Sequence, residues 1–472
     1  MTIRNNSYFY ILLICILQQL TLVAQQSSSD TGLVAYPIQK IEIIGNRVTK
    51  NKIIERELTF KECDLIDTAT LAKALVQSRL NLMNSTLFNF VAIHYLLENN
   101  EITVYVSVTE RWYIWPAPIL EIPDRNPNVW LQMHDFTRLN YGAYVMWNNF
   151  RGRKETVQFI IRLGYSERYG LAYSIPNLGK KQRSGIGFSY GYSRNHEIGY
   201  KSFNNELLFF NDEKKYTRQE QFARVRYTYR KVIFNSHAVE FRYNQTKVTD
   251  TILTLAPTYT FNGKNNLEFF SLNYFFAADH RDYKPYPLKG WLFTLDATQT
   301  GLGILKDENF SFFKLESGIK FFNHFTGRWY GGYGLKGKWS SSTQQPYYVQ
   351  KGLGYSDYIR GYEYYVIDGH NYGQVKTNLK YQLIKPNTID FNYFKNDRFD
   401  KLSYAFYLNA FFDAGYVRDN LYYLENPLNN TWQYGYGIGL DFVGYYDMVF
   451  RFEAARNKMN EIGFFFHYFS PI

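Results

Sequence analysis

Cysteine is almost absent from this chain of 472 residues, which holds only Cys15 and Cys63. Cys15 lies in the apolar stretch Tyr8 to Leu17, behind Arg4 and ahead of Leu22-Val23-Ala24. That arrangement predicts a secretory signal over residues 1–24, cut before Gln25. Ile14 is too bulky to precede a lipidated cysteine, so a lipoprotein anchor is not expected. Once the signal is removed, Cys63 stands alone and reads as an inert small hydrophobe, with no intrachain disulfide to form. Long apolar runs are also missing. No later segment offers about 18 consecutive apolar residues, so no helical membrane span is expected. The eight His are dispersed without metal-ligand spacing, and neither a metal nor another cofactor is expected.

Aromatic residues are what the chain has in excess, at 19% with 44 Tyr and 39 Phe. Membrane β-barrels need such residues, because aromatic girdles sit at both interfaces while half of each strand faces a polar lumen. The formal charge of +11 would suit nucleic acid or anionic lipid. A signal that exports the chain argues against nucleic acid, so the excess is expected in loops, turns and the barrel interior, or beside anionic headgroups of outer-membrane lipid.

Two periods divide the sequence. Residues 25–36 begin polar and Ser-rich and read as a tether. In residues 37–111 the order is strand, helix, helix, strand, strand. Ile38 to Ile44 alternates and ends at the turn signal Gly45-Asn46. Thr49 is the expected cap of a helix carrying Ile53, Ile54 and Leu58. Asp67 or Thr68 is the expected cap of a second carrying Leu71, Leu75 and Val76. A hairpin around Glu98 to Glu101 follows, its second strand carrying Ile102, Val104, Val106 and Val108 on one face. From Trp112 to Ile472 no helical period remains, only short alternating stretches. Val225, Tyr227 and Tyr229 point one way, and Arg224, Arg226 and Arg230 the other. Phe450 and Phe452 likewise alternate with Arg451 and Glu453. A soluble sandwich and a barrel share this period; the signal and the aromatic excess favour the barrel.

Two enzyme-like patterns fail on context. Gly187-Phe188-Ser189-Tyr190-Gly191 matches a nucleophile elbow, but it lies in an alternating strand rather than a strand-to-helix turn. Gly332 to Gly337 matches G-x-G-x-x-G but opens no helix. No catalytic residue is therefore assigned, and the chain is not expected to be an enzyme.

One pair of segments stands out within the alternating region. Ile359-Arg360-Gly361-Tyr362 is followed by Phe411-Phe412-Asp413-Ala414-Gly415. A fixed guanidinium and a distant carboxylate in a barrel interior point to a buried ion pair tying a loop to the wall, since an isolated charge there is costly. Arg suits this because its planar fork holds a carboxylate with two bonds. The segments resemble the loop-six motif and the F-x-D-x-G wall motif of the BamA/TamA superfamily of outer-membrane assembly factors. Asn149 to Arg153, Tyr173 to Asn177, Asp279 to Asp282 with Tyr286 to Gly290, and Gly435 to Leu440 with Arg451 to Glu453 resemble further barrel markers of that family, in the same order. Trp115-Pro116 to Arg125-Asn126 resembles the first barrel strand of single-POTRA members from Bacteroidetes-type bacteria. Residues 37–111 resemble a POTRA domain. Two departures are visible. Lys380 stands where the family often has a Glu, so a second carboxylate for Arg360 is absent or comes from elsewhere. The chain also ends Phe469-Ser470-Pro471-Ile472 rather than on an aromatic.

The resemblance implies a mainly β protein: an N-terminal α+β POTRA domain, then a closed antiparallel transmembrane β-barrel over residues 112–472. It implies sixteen strands, although composition would also allow about 14 or 18 at roughly 9–11 residues each. The implied location is the bacterial outer membrane, with the POTRA domain in the periplasm. The implied role is to receive unfolded outer-membrane or secreted polypeptides at the POTRA strand Ile102, Val104, Val106 and Val108. Clients would then be inserted or translocated at a weak seam between first and last strands, possible accessory assembly proteins helping. A polypeptide secretion pore of the two-partner type shares these features; a passive porin would not need the POTRA domain. A single POTRA domain points to an accessory role.

Overall fold

The computed structural model describes residues 34–121, 139–261, 263–306, 308, 310–342, 345–390 and 401–469. The expected signal, most of the tether, Arg125-Asn126 and the terminal Ser470-Pro471-Ile472 lie outside the described residues.

The N-terminal domain follows from its apolar spacing. It runs β1 (Ala35–Ile44), α1 (Asn51–Glu55), β2 (Leu65–Asp67), α2 (Thr68–Met83), β3 (Phe88–Glu98) and β4 (Glu101–Glu110). Ile38, Ile53, Ile54, Leu71, Leu82, Phe88 and the β4 valines share one core between helices and sheet. Asp67 caps α2, accepting from the amides of Ala69 at 3.0 Å and Thr70 at 2.9 Å. Hydrogen bonds from Thr70 hold its carboxyl below the usual carboxylate range. Thr49 does not cap α1; the N-cap is Lys50 and has no side-chain bond. The Thr49 hydroxyl is engaged instead by Tyr113 and Asn149. Asn99 and Asn100 both take positive φ in the β3–β4 turn, as a tight two-residue hairpin requires.

The sheet order β2-β1-β4-β3 corrects one expectation. β4 pairs in parallel with β1 and antiparallel with β3, so it is an interior strand. Ile102, Val104 and Val106 are fully buried and Val108 nearly so. Their alternation marks a face packed on the helices, which strand period cannot distinguish from an available edge. The long free edge of this sheet belongs to β3.

The second region contains β5 (Ile114–Glu121), β6 (Asn140–Phe150), β7 (Glu155–Gly164), β8 (Ser166–Leu178) and β9 (Ser184–Asn195). A hairpin, β10 (Glu197–Phe203) and β11 (Glu206–Asn211), leaves the wall here. It resumes with β12 (Arg218–Tyr229), β13 (Asn235–Val248), the short helix α3 (Asp250–Leu255), β14 (Asn266–Asp279), β15 (Gly290–Thr300) and β16 (Phe312–Thr326). Then come β17 (Trp329–Ser340), β18 (Asn371–Asp390), β19 (Lys401–Arg418), β20 (Trp432–Val443), β21 (Val449–Asn457) and β22 (Ile462–Phe469). Without the hairpin these form one 16-stranded sheet in chain order, β5 at one end and β22 at the other. Every neighbour is antiparallel, the expected count and sense. Leu171, Phe188, Tyr190, Val225, Tyr227, Val239 and Phe241 are exposed on the outer face, leaving the alternate, charged residues to the lumen. Among the described residues no ladder joins β5 to β22.

Candidate functional site: a loop anchor, a docked domain and a seam

The loop between β17 and β18 folds into the barrel and carries the Arg360 motif. Ile359, Arg360 and Tyr362 are all buried. Arg360 grips Asp413 of β19 with two parallel bonds, Nε to Oδ2 at 2.8 Å and Nη2 to Oδ1 at 2.6 Å. Its Nη1 donates to Asn378 at 2.8 Å and to Glu453 at 3.2 Å. Nη2 also donates to the Thr377 carbonyl at 3.0 Å. All five guanidinium protons therefore have acceptors, the condition under which a buried Arg is tolerable. The Phe411 ring lies 3.8 Å from the guanidinium carbon, so Phe411, Asp413 and the loop form one contact surface.

Glycines make the approach possible. Gly361 has φ +93, a left-handed conformation that costs glycine little. Its carbonyl accepts from Asn457 at 3.0 Å. A Cβ on Gly415 would come within 2.9 Å of Ile359 Cδ1, so the F-x-D-x-G pattern keeps that wall position empty for the loop. Ile359 and Tyr362 join Leu353, Ile367, Tyr372, Val417 and Leu428 in an apolar cluster. Tyr362 also donates to the Tyr434 carbonyl at 3.3 Å.

The second carboxylate for Arg360 is Glu453, on β21. Lys380 does a different job, its ammonium lying 3.8 Å from the Tyr286 ring centre. Tyr286 in turn donates to Asp441 at 2.7 Å, and Arg451 holds Asp441 at 2.8 and 3.1 Å. The sequence signal for Glu453 is the alternation itself, which places it on the same face as Arg451.

Most of the other marker segments gather where the N-terminal domain meets the barrel. Asn149 donates to the Thr49 hydroxyl at 2.8 Å, and the Gly152 carbonyl accepts from the Lys50 amide at 3.0 Å. Arg56 donates to Asn177. Asn84 donates to the Asp282 carbonyl and accepts from the Lys284 amide, each at 2.9 Å. Arg111 donates to Asp447 at 2.6 Å, and Tyr283 also reaches Asp447. Arg230 holds Glu57 with two bonds at 2.6 and 2.9 Å. Burial alone would raise the Glu57 carboxyl, but Arg230 holds it below its usual range. These contacts come from turns after β6, β8, β12, β14 and β20, so the domain is docked across the barrel mouth. Nothing in residue spacing indicated Glu57, Arg230 or Asp447.

Among the described residues the two seam strands are each paired on one side only. β5 holds Pro116 and Pro118 in unbroken register with Val145 and Ala143 of β6. Proline has no N–H and is confined to strand positions whose donor would face away from the ladder. The seam edge of β5 thus lacks two donors. Across from it, Ile462, Phe464, Phe466 and Tyr468 of β22 present an exposed outer face.

Comparison with known proteins agrees with this architecture. The Omp85 superfamily domain matches residues 149–444, and the POTRA domain, described as a surface antigen variable number repeat, matches residues 36–111. Among solved structures, BamA from Haemophilus ducreyi lacking POTRA domains 1–3 aligns over 94% of this chain and 86% of its own, at 13% identity and a TM-score of 0.51. CdiB from Escherichia coli aligns over 92% of this chain and 75% of its own, at 12% identity and a TM-score of 0.54. No curated protein sequence is significantly similar. At these identities the structural matches speak for the fold, and the domain matches for the family. The chain belongs to the Omp85 superfamily and is an outer-membrane β-barrel with a periplasmic POTRA domain, in the class that inserts or secretes polypeptides.

Proposed function

We propose that this protein is a non-enzymatic outer-membrane assembly factor that templates client strands at the seam between β5 and β22. The observation that carries the reading is that no ladder joins those strands among the described residues, combined with Pro116 and Pro118 on the β5 edge. An unpaired strand edge in hydrocarbon is costly, because backbone groups there find no water. A client strand added to the β22 edge would satisfy those groups while burying its own apolar face. The free edge of β3 supports a receiving step, since an extended segment can add to an open sheet edge. The anchor at Arg360 braces the loop against β18 to β21, so the wall beside the seam stays ordered while the seam opens.

A two-partner-type secretion pore is the second reading. That reading requires the docked POTRA domain to clear the periplasmic mouth before a whole chain could cross the lumen.

The test is the double change Pro116→Thr with Pro118→Thr. It restores two donors on the β5 edge and should strengthen β5–β22 pairing. Assembly of client barrels, followed by heat-modifiable gel mobility, should slow while the variant itself still folds. Unimpaired assembly would remove the seam from the mechanism. Passenger accumulating in the medium only when the wild-type protein is present would favour the secretion pore.

A further inference from the structure

The lumen carries a feature that the anchor and the seam leave unused. Arg224 of β12 lies directly opposite Arg242 of β13. On the neighbouring pair, Arg162 of β7 lies directly opposite Arg168 of β8. Both pairs face inward, because Leu171, Val225 and Phe241 are exposed on the outer face of the same strands. Like charges directly opposed across a ladder are destabilising. The usual solution is found one step away, where Arg226 lies opposite Glu240 and meets it at 3.3 Å. Glu240 also reaches Arg224 at 3.6 Å, and Glu121 reaches Arg162 at 3.0 Å. Arg168 and Arg242 have no carboxylate within salt-bridge reach among the described residues. Arg242 lies over the Phe222 ring, and its Nε has no hydrogen-bond partner.

Between the two Arg pairs runs β9, whose inward positions Gly187, Ser189, Gly191 and Ser193 are all small. Ser189 shares a row with Arg224, and Ser193 shares a row with Arg168. Those rows are four residues apart, about 13 Å along a strand at roughly 3.3 Å per residue. No single small anion spans that distance.

We infer that this wall is a basic trough for an acidic, extended segment of a polypeptide client, held at two points by the Arg pairs. The inference rests on the reading of the chain as a handler of polypeptides. An extended peptide with carboxylates four residues apart places them on one face at the required spacing. Its backbone would run along β9 over the Phe222 ring, which packs on Gly191 between the two rows, with the small Ser189 and Ser193 on either side. The bound carboxylates would supply the counter-charge that Arg168 and Arg242 lack.

The test uses the full chain in detergent and a fluorescently labelled Ser/Gly peptide with Glu at every fourth position, beside a twin with Gln. The Glu peptide should bind at least about tenfold more tightly at low salt, an advantage that shrinks as salt screens the charges. The double change Arg168→Ser with Arg242→Ser strands no carboxylate and should lower the affinity about tenfold with gel mobility unchanged. The double change to Lys should keep most of the binding. Equal affinity for the two peptides, or full affinity in the Ser variant, would overturn the proposal. So would complete displacement by millimolar inorganic phosphate, which would identify a small-anion site. If the peptide fails to bind while the seam variant slows assembly, the trough alone falls. If peptide binding behaves as expected while the seam variant is silent, the assembly reading falls and the trough stands.

Discussion

The wall around Arg360 and the strands of the seam belong to one sheet, yet they are built in opposite ways. β18 and β19 are the longest strands, 20 and 18 residues, paired on both sides and tied by a buried Arg to Asp413 and Glu453. β5 and β22 are, among the described residues, paired on one side, and β5 carries two prolines. Pairing on both sides and a buried anchor make the first bank the stiffer one, and an edge paired on one side makes the seam the easier place to open. A rigid bank lets a weak edge exchange partners without the rest of the sheet losing register.

The largest effect is expected at Arg360. Arg360→Ala leaves Asp413 and Glu453 with the more distant Lys376 at 4.0 Å and Arg451 at 3.8 Å, and should cost about 3 kcal/mol in barrel unfolding by denaturant. A loss below about 1 kcal/mol would mean that the anchor does not hold the wall.

A sharper test is the double-mutant cycle with Asp413→Ala. Coupled neighbours give interaction energies up to about 3 kcal/mol, so the double change should cost well below the sum of the two singles. Glu453→Gln should show coupling to Arg360 of the same sign but smaller, because its contact is single and longer. Strict additivity at Asp413 would dissolve the pair.

The docked domain offers the next largest effect, about 1–2 kcal/mol for Glu57→Gln, since Arg230 is part-exposed and loses a charged acceptor. Its pH dependence follows from the lowered Glu57 value. A carboxyl held below its unfolded value contributes fully above the ordinary carboxylate range and loses that contribution as pH falls through the folded value. Spin labels at the exposed Val76 and Val232 should report one narrow distance at neutral pH. That distance should broaden in acid and in Glu57→Gln. A narrow distance in the variant would show that the other contacts suffice. The smallest expected effect is at the seam, where the two restored donors are worth about 1 kcal/mol in all, felt in assembly rate more than in stability.

Much of the fold was legible before any coordinates. Period two after Trp112, broken by turn residues, marks strands because alternate side chains meet lipid and lumen. The Arg360 and Asp413 segments were legible as a pair through their resemblance to a family motif, and a charge in a confined interior demands a partner. The Ile102 to Val108 strand shows the limit. Its alternation suits a receiving edge as well as a buried interior strand, and which it is depends on the strands that lie beside it, which is not written in its own period. Glu453 shows the same limit from the other side. Its inward direction was readable, but its contact with an Arg 93 residues away required the sheet to curl.

The sequence alone determined the inward and outward faces, because alternation is a local property of an extended backbone. It pointed to the two loci of the anchor only through their resemblance to a family motif, because an Arg-Gly-Tyr by itself is a common surface loop. Only the tertiary structure decided which carboxylate completes the Arg360 shell, which strand edges stay free, and that the turns after β6, β8, β12, β14 and β20 form a seat for the POTRA domain. Each of those depends on residues brought together by closing a long chain into a cylinder, where separation in sequence no longer measures separation in space.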